Sequence, residues 1–180
     1  MYNSSEGARI KVWPDTYVEK SAALTGGGGR GLVRNVTYDG MWLDNVDYGL
    51  TITQCYGQDN ETLCFEHPVR FPSQSFTSPS THRNPRLTNY HQSKLNITDI
   101  TFKNIRGRTN RVFAPIVAHL VCSSPDTCSN ITAENVDIRS INGANLVTCR
   151  NVDRSLLGGL NCTDTSKGYN PAWYDHVEMK

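Results

Sequence analysis

Apolar and polar residues alternate with a period of two over short runs, and nowhere do they hold the 3.6-residue period of an amphipathic helix. The first run is Gly7-Ala8-Arg9-Ile10-Lys11-Val12-Trp13-Pro14. Read as a strand, it sets Arg9 and Lys11 on one face and the β-branched Ile10 and Val12 on the other. Further on, Met41, Leu43 and Val46 follow Asn35-Val36-Thr37, and Val136, Ile138 and Ile141 follow Asn130-Ile131-Thr132 at identical offsets. Ile100, Phe102 and Ile105 keep the same internal spacing after Asn96-Ile97-Thr98, two residues earlier. Ile116 to Val121 is a continuous apolar run broken only by His119, as a core-lining strand requires.

A short alternating run that ends near Asn, Gly or Asp and recurs along the chain is the pattern of one strand and turn per coil, stacked into a solenoid. A β-sandwich would need hairpin turns between paired strands. Asp39-Gly40 and Asn142-Gly143 are the only such dipeptides, too few for that architecture. The predicted fold is therefore all-β, a right-handed parallel β-helix. Residues 32–56 are expected to give strands separated by Asp44-Asn45 and Asp47-Tyr48-Gly49, and Tyr56 follows the strand Leu50 to Gln54. The Gly26–Gly31 run lacks both a following Gly-Lys-Ser/Thr and a strand–helix setting, so it reads as a turn between coils rather than a phosphate cradle.

Val69 through Gln92 interrupts the pattern: it is rich in Pro, Ser, Thr, Arg and His and has no apolar period. A structureless block of this length is foreign to a compact solenoid. Removing it joins Pro68 to Ser93 and restores a continuous run into the Asn96 strand. Val codons begin with GT, a Gln codon can end in AG, and Leu87-Thr88-Asn89 can be written with a branch-point-like CTAAC. The block is either a retained intron of whole-codon length or a surface insertion. The expected layout is thus coils over 1–167, with 69–92 as an atypical insertion, and a polar tail over 168–180.

Composition narrows the chemistry. A net charge of +1 over 180 residues excludes bulk nucleic-acid binding, so any cationic function is local. No apolar stretch reaches the roughly 18 residues of a membrane helix. Six cysteines fall in close sequential pairs, Cys55/Cys64, Cys122/Cys128 and Cys149/Cys162. None has metal-ligand spacing, and the five histidines form no metal constellation, so a disulfide framework is the better use. Six cysteines allow 15 connectivities. Asn3, Asn35, Asn60, Asn96, Asn130 and Asn161 each begin an Asn-x-Ser/Thr triplet, a modest excess that also points to export. At Asn35, Asn96 and Asn130 a structural role at turns competes with glycosylation. Secreted features beside a Met1-Tyr2-Asn3 start that carries no export signal predict that the chain is a C-terminal piece of a longer extracellular protein.

Two adjacent cations on a rigid strand suit a carboxylate or phosphate, with Arg as planar fork and Lys as compact charge. A plain solvated surface strand is the competing reading. The series Gly7-Ala8-Arg9-Ile10-Lys11, Gly26 to Gly31, Asn35-Val36-Thr37-Tyr38, Asn45-Val46-Asp47-Tyr48-Gly49, Ile52-Thr53-Gln54-Cys55-Tyr56-Gly57, Cys122-Ser123-Ser124-Pro125-Asp126-Thr127-Cys128 and Asn151-Val152-Asp153 resembles the polygalacturonases, family 28 of the glycoside hydrolases. The likeness covers most of residues 3–165 and is greatest to fungal exo-acting members.

The resemblance implies the same β-helix, sequential cysteine pairing, an inverting hydrolysis of α-1,4-linked galacturonate, and no cofactor or metal. It assigns Arg9, Lys11 and Tyr56 to substrate binding, with a structural aromatic that caps a coil as the competing reading of Tyr56. The partner implied is a pectin oligosaccharide, held by a monomer with no nucleic acid and no membrane. The family's catalytic aspartates lie in an Asn-Thr-Asp and an Asp-Asp motif, with a Gly-His-Gly histidine, and none of these occurs in this sequence. Asp39, Asp44 and Asp47 read as turn residues, His119 as a packed histidine, and Tyr48 as core or turn packing. The chain is expected to grip substrate without hydrolysing it. A non-catalytic pectin-binding solenoid and a non-functional gene-model fragment are the alternatives.

Overall fold

In the computed structural model, residues 1–13, 30–56, 65 and 94–163 are described. The elements are β1 (Glu6–Lys11), β2 (Arg30–Asp39), β3 (Trp42–Val46), β4 (Tyr48–Thr53), β5 (Lys94–Thr109), β6 (Ile116–Val121), β7 (Cys128–Arg139), β8 (Leu146–Arg150) and β9 (Cys162–Thr163), with a 3-10 turn at Arg154–Leu156. Every strand pairing is parallel. The first sheet has the order β1-β4-β6-β8-β9; in the second, β5 pairs with β2, β3 and β7. The chain is a parallel β-helix. Each coil runs through one long bent segment of the second sheet and then one short strand of the first.

The two sheets face each other across a single apolar interior. In the first sheet, Ile10, Ile52, Leu120 and Cys149 occupy one in-register row, and Ala8, Leu50, Ala118 and Val147 another. All eight are buried. In the second sheet the inward positions of β5 are Ile97, Ile100, Phe102 and Ile105, all fully buried. Tyr38 stacks on Phe102 at 5.3 Å and donates its hydroxyl to the Arg9 carbonyl at 3.3 Å, tying the second sheet to β1 across this interior.

The spacing of those β5 residues is three, two and three, and the steps of three have a backbone cause. Asp99 and Asn104 sit in the left-handed region (φ 55° and 53°), bending the strand and shifting its in–out alternation by one. The same bend recurs in every coil. Asn35, Asp99 and Asn130 form one row of left-handed residues, and Gly40, Asn104 and Asn135 form a second. Their side chains ladder from coil to coil: Asn130 Nδ2 donates to Asp99 Oδ1 at 2.7 Å, and Asn135 Nδ2 to Asn104 Oδ1 at 2.8 Å. Short amides and carboxylates tolerate this conformation because they can bond locally.

These rows correct the register of the predicted repeat. Asn35 and Asn130 are equivalent, but their counterpart is Asp99, three residues past Asn96. The apolar two-then-three spacing occurs at successive bends, so Ile100, Phe102 and Ile105 match Val36, Tyr38 and Met41 rather than the run that follows. Ile141, expected inside by its offset, is 52% exposed because the chain leaves the coil at Ser140 and turns through Gly143. The break predicted at Asp44-Asn45 is instead a bulge within β3's pairing to β5, with Asn45 at φ 59°. Chain direction changes one residue cluster earlier, at Gly40. Tyr48 and Gly49, predicted as a break, begin β4. Asp39-Gly40 and Asn142-Gly143 both turn without forming hairpins, as the solenoid requires.

Disulfides join Cys122 to Cys128 and Cys149 to Cys162, the predicted sequential pairs. Cys55 is also disulfide-bonded. Cys64, Asn60, residues 26–29, the block 69–92 and the tail 168–180 lie outside the described residues. Gly107 of β5 stands against the β3 backbone: at φ 144°, an added Cβ would overlap the Leu43 carbonyl oxygen. Gly143, at φ 80°, faces open space. Gly107→Ala is therefore expected to cost about 3 kcal/mol or more and Gly143→Ala about 1–2 kcal/mol. Urea unfolding of both variants checks the ranking; equal costs would contradict the close approach.

Candidate functional site

The candidate site lies at the β1 edge of the first sheet, on its outward face. The alternation read from the sequence holds: Ala8, Ile10 and Val12 are buried, while Arg9 is half-buried and Lys11 exposed. Arg9 pairs in register with Thr51 of β4, and Lys11 with Thr53. Beyond Thr53 the chain turns at Gln54 and brings Tyr56 back toward β1, where the Tyr56 amide donates to the Val12 carbonyl at 3.2 Å.

The three predicted binding residues therefore converge. The Arg9 guanidinium lies 4.7 Å from the Tyr56 ring centroid and Lys11 Nζ lies 4.3 Å from it, so one aromatic ring meets both cations. Trp13 packs edge-on against Tyr56 at 4.6 Å and is 5.9 Å from Lys11 Nζ. Its place two residues beyond Lys11, on the same strand face, is the signal that could have added it to the site.

Glu6 is the second addition. Its Oε1 accepts from Arg9 Nη1 at 3.3 Å and its Oε2 from Thr51 Oγ1 at 2.6 Å, which fixes the guanidinium from one side. Glu6 lies three residues before Arg9, a spacing with no meaning on a regular strand, so only the folded chain reveals the pair. Burial pushes the Glu6 carboxyl above the usual carboxylate range; the Thr51 bond and the charges of Arg9 and His119 oppose this, and Asp47 adds to it. Arg9 Nε is buried without a hydrogen-bond partner among the described residues. Lys11 has no carboxylate partner among them.

Gln54 holds the corner from which Tyr56 projects. It is fully buried, donates through Nε2 to the Leu95 carbonyl at 2.9 Å, and accepts through Oε1 from Ser123 N, Ser123 Oγ and Thr127 Oγ1 at 2.9, 2.9 and 2.7 Å. Ser123 and Thr127 belong to the loop closed by the Cys122–Cys128 bond. A buried polar group so saturated is rigid, and removing it would orphan several partners.

His119 is packed, 4% exposed, with Nδ1 2.7 Å from Thr148 Oγ1. Tyr48 stacks on Phe113 at 4.2 Å and is buried. Of the sequon asparagines, Asn35 and Asn130 occupy left-handed bends, Asn3 does likewise (φ 49°), Asn96 is half-buried and Asn161 exposed. Among the described residues no three His, Cys, Asp or Glu side chains converge as metal ligands.

The structure is thus a parallel β-helix with a cation pair on an aromatic ring at one sheet edge. Residues 80–162 match the family model "Glycosyl hydrolases family 28". It is 47% identical over 163 residues to the exopolygalacturonase of Cochliobolus carbonum, covering 91% of this chain and 31% of that protein. It is 47% identical over 166 residues to exopolygalacturonase X of Aspergillus niger, covering 92% and 32%. Among solved structures, the endo-xylogalacturonan hydrolase of Aspergillus tubingensis matches with a TM-score of 0.62 at 27% identity, over 91% of this chain and 34% of that one. The chain thus spans about a third of the length of the relatives it matches.

The raised Glu6 carboxyl has a stability consequence. The native state keeps that proton to higher pH than the unfolded chain does. Stability therefore falls as pH rises from the ordinary glutamate range through the raised native value. Glu6→Gln, which keeps the shape without titrating, is expected to match the wild type in acid and exceed it at neutral pH. Urea midpoints measured across that range check this; a difference independent of pH would contradict it.

Proposed function

We propose that this chain supplies the carboxylate-gripping part of an exopolygalacturonase-type site acting on α-1,4-linked galacturonate. The observation that carries the reading is the convergence of Arg9 and Lys11 on the Tyr56 ring. Each sugar of the polymer is an anion with one apolar face. A guanidinium fork and an ammonium can hold its carboxylate while an aromatic ring offers a face to the sugar. Glu6 takes only part of the Arg9 fork, and a bound carboxylate would meet the remaining donors. The exopolygalacturonase relatives support this substrate over other anions.

Hydrolysis with inversion needs an acid for the leaving oxygen and a base for the attacking water. Glu6 is engaged by Arg9 and Thr51, and the aspartate motifs of the family do not occur in this sequence. In this reading the chain alone binds without turnover, its parent acts outside the cell as a monomer, and residues 1–167 are coils of one catalytic β-helix carrying the 69–92 block, with 168–180 as a tail. Asn35, Asn60, Asn96, Asn130 and Asn161 are its candidate glycan acceptors. A non-catalytic pectin-binding solenoid shares the same grip and differs only in what the parent does.

Calorimetric titration of the purified chain with de-esterified and methyl-esterified oligogalacturonate tests the reading. Binding is expected to the acid form, weakened about tenfold in Arg9→Ala and in Lys11→Ala, and lost on esterification. Reducing ends should not accumulate. Equal binding of the ester would overturn the carboxylate grip, and release of galacturonic acid would overturn the loss of turnover.

A further inference from the structure

The outward row that begins at Lys11 ends on a second cation. Lys11 pairs with Thr53, Thr53 with Val121, and Val121 with Arg150, crossing β1, β4, β6 and β8 in register. In-register partners in a parallel sheet share a face, so Arg150 and Lys11 point the same way. Three strand steps separate them, about 14 Å at the usual strand spacing. Arg150, like Lys11, is exposed and lies over an aromatic ring: its guanidinium is 3.5 Å from the Phe65 centroid. Neither cation has a carboxylate partner among the described residues.

The place is also held firmly. Arg150 follows Cys149, which is bonded to Cys162, and its carbonyl accepts from the Cys122 amide at 3.0 Å. Asn151, at φ 54°, donates to the Cys122 carbonyl at 2.9 Å and turns the chain immediately afterwards. Between the two cations, Cys55 and Val121 form a small apolar cluster under Phe65. The segment after β4 therefore begins with the ring that supports Arg9 and Lys11 and includes the ring that supports Arg150.

Among the described residues three cations of the second sheet are ion-paired, while Arg34 and Arg106 have no carboxylate within ion-pairing distance. Lys103 pairs with Asp39 at 3.2 Å, Arg108 with Asp44 at 2.7 Å and Arg139 with Asp137 at 3.1 Å. A cation on an aromatic ring thus stands at each end of one outward row, at a separation that several linked sugars span and one sugar does not.

We propose that Arg150, resting on Phe65, is a second carboxylate subsite, which holds a distant unit of the same galacturonate chain whose near unit is held by Arg9 and Lys11. This rests on the binding reading above and adds a direction to it: the polymer crosses the strands of the first sheet, from β1 toward β8. Two weak contacts on one chain reinforce each other, so the gain appears only for ligands long enough to reach both.

The test is titration of the 180-residue chain with a galacturonate dimer and with a long oligogalacturonate, in the wild type, Arg150→Ala and Arg150→Lys. Circular dichroism controls for folding, and Arg150→Gln stands in where the alanine variant does not fold. The dimer is expected to bind all variants alike. The long oligomer should lose about threefold to tenfold in Arg150→Ala, the scale of one exposed charge pair, with most of the loss recovered in Arg150→Lys and erased by high salt. Unchanged affinity of Arg150→Ala for the long oligomer overturns the subsite while leaving the Arg9–Lys11 grip standing. An equal loss for dimer and oligomer also overturns it, since Arg150 would then belong to the near site. A wild-type chain that binds neither ligand overturns both readings together.

Discussion

The fold depends on one backbone constraint: the chain must bend at the same place in every coil. A parallel solenoid has no hairpins to fix its register, and its coils touch only their neighbours. Here the register is set by stacked left-handed residues, Asn35, Asp99 and Asn130 in one row and Gly40, Asn104 and Asn135 in the next. Each such residue costs local conformational energy in an L-amino acid. The cost is offset by amide-to-carbonyl bonds that run from one coil to the next, so the bends and the stacking stabilise each other. A slip of one residue would break those bonds and turn each inward row outward.

The candidate site inherits this register. Arg9 and Lys11 stand beside Thr51 and Thr53 only because β1 and β4 are locked in step, and Tyr56 reaches them only because the chain turns sharply at Gln54. Gln54 ties that turn to the Leu95 carbonyl of the following coil and to the Ser123–Thr127 loop beyond it. The aromatic rest is thereby positioned by contacts on the far side of the backbone from Arg9 and Lys11. Such an arrangement holds geometry through buried bonds.

The solenoid, the strand β1, the core-lining β6 and the Arg9–Lys11 face were all legible in the sequence, because each depends on local alternation. The register of the middle coil was not. Asp99, an aspartate, stands where the other coils have asparagine, and Asn96-Ile97-Thr98 imitates the tripeptide three residues early. Ile141 shows the same limit: an offset that fits a repeat does not say where the chain leaves the coil. Glu6 and Gln54 escaped for a different reason. Their partners are Thr51, Leu95, Ser123 and Thr127, all distant in sequence, and no periodicity encodes a contact between coils.

Charge distribution matters more here than net charge. The chain totals +1, which by itself suggests indifference to anions. On the second sheet part of that balance is local, because Lys103, Arg108 and Arg139 have aspartates within ion-pairing distance. On the first sheet, among the described residues, the one carboxylate paired with a cation is Glu6, and it is held against desolvation, bound to Thr51 as well as to Arg9. A carboxyl kept in a place that costs stability is best understood by what it does to its neighbour. It fixes one edge of the Arg9 fork and, among the described residues, does not pair with Lys11. Burying the pair more deeply would strengthen the mutual attraction and raise the desolvation cost together. Full exposure would surrender both orientation and field to the solvent. The half-buried placement of Arg9 between Glu6 and Tyr56 is the compromise that keeps a guanidinium both ordered and available to a passing carboxylate.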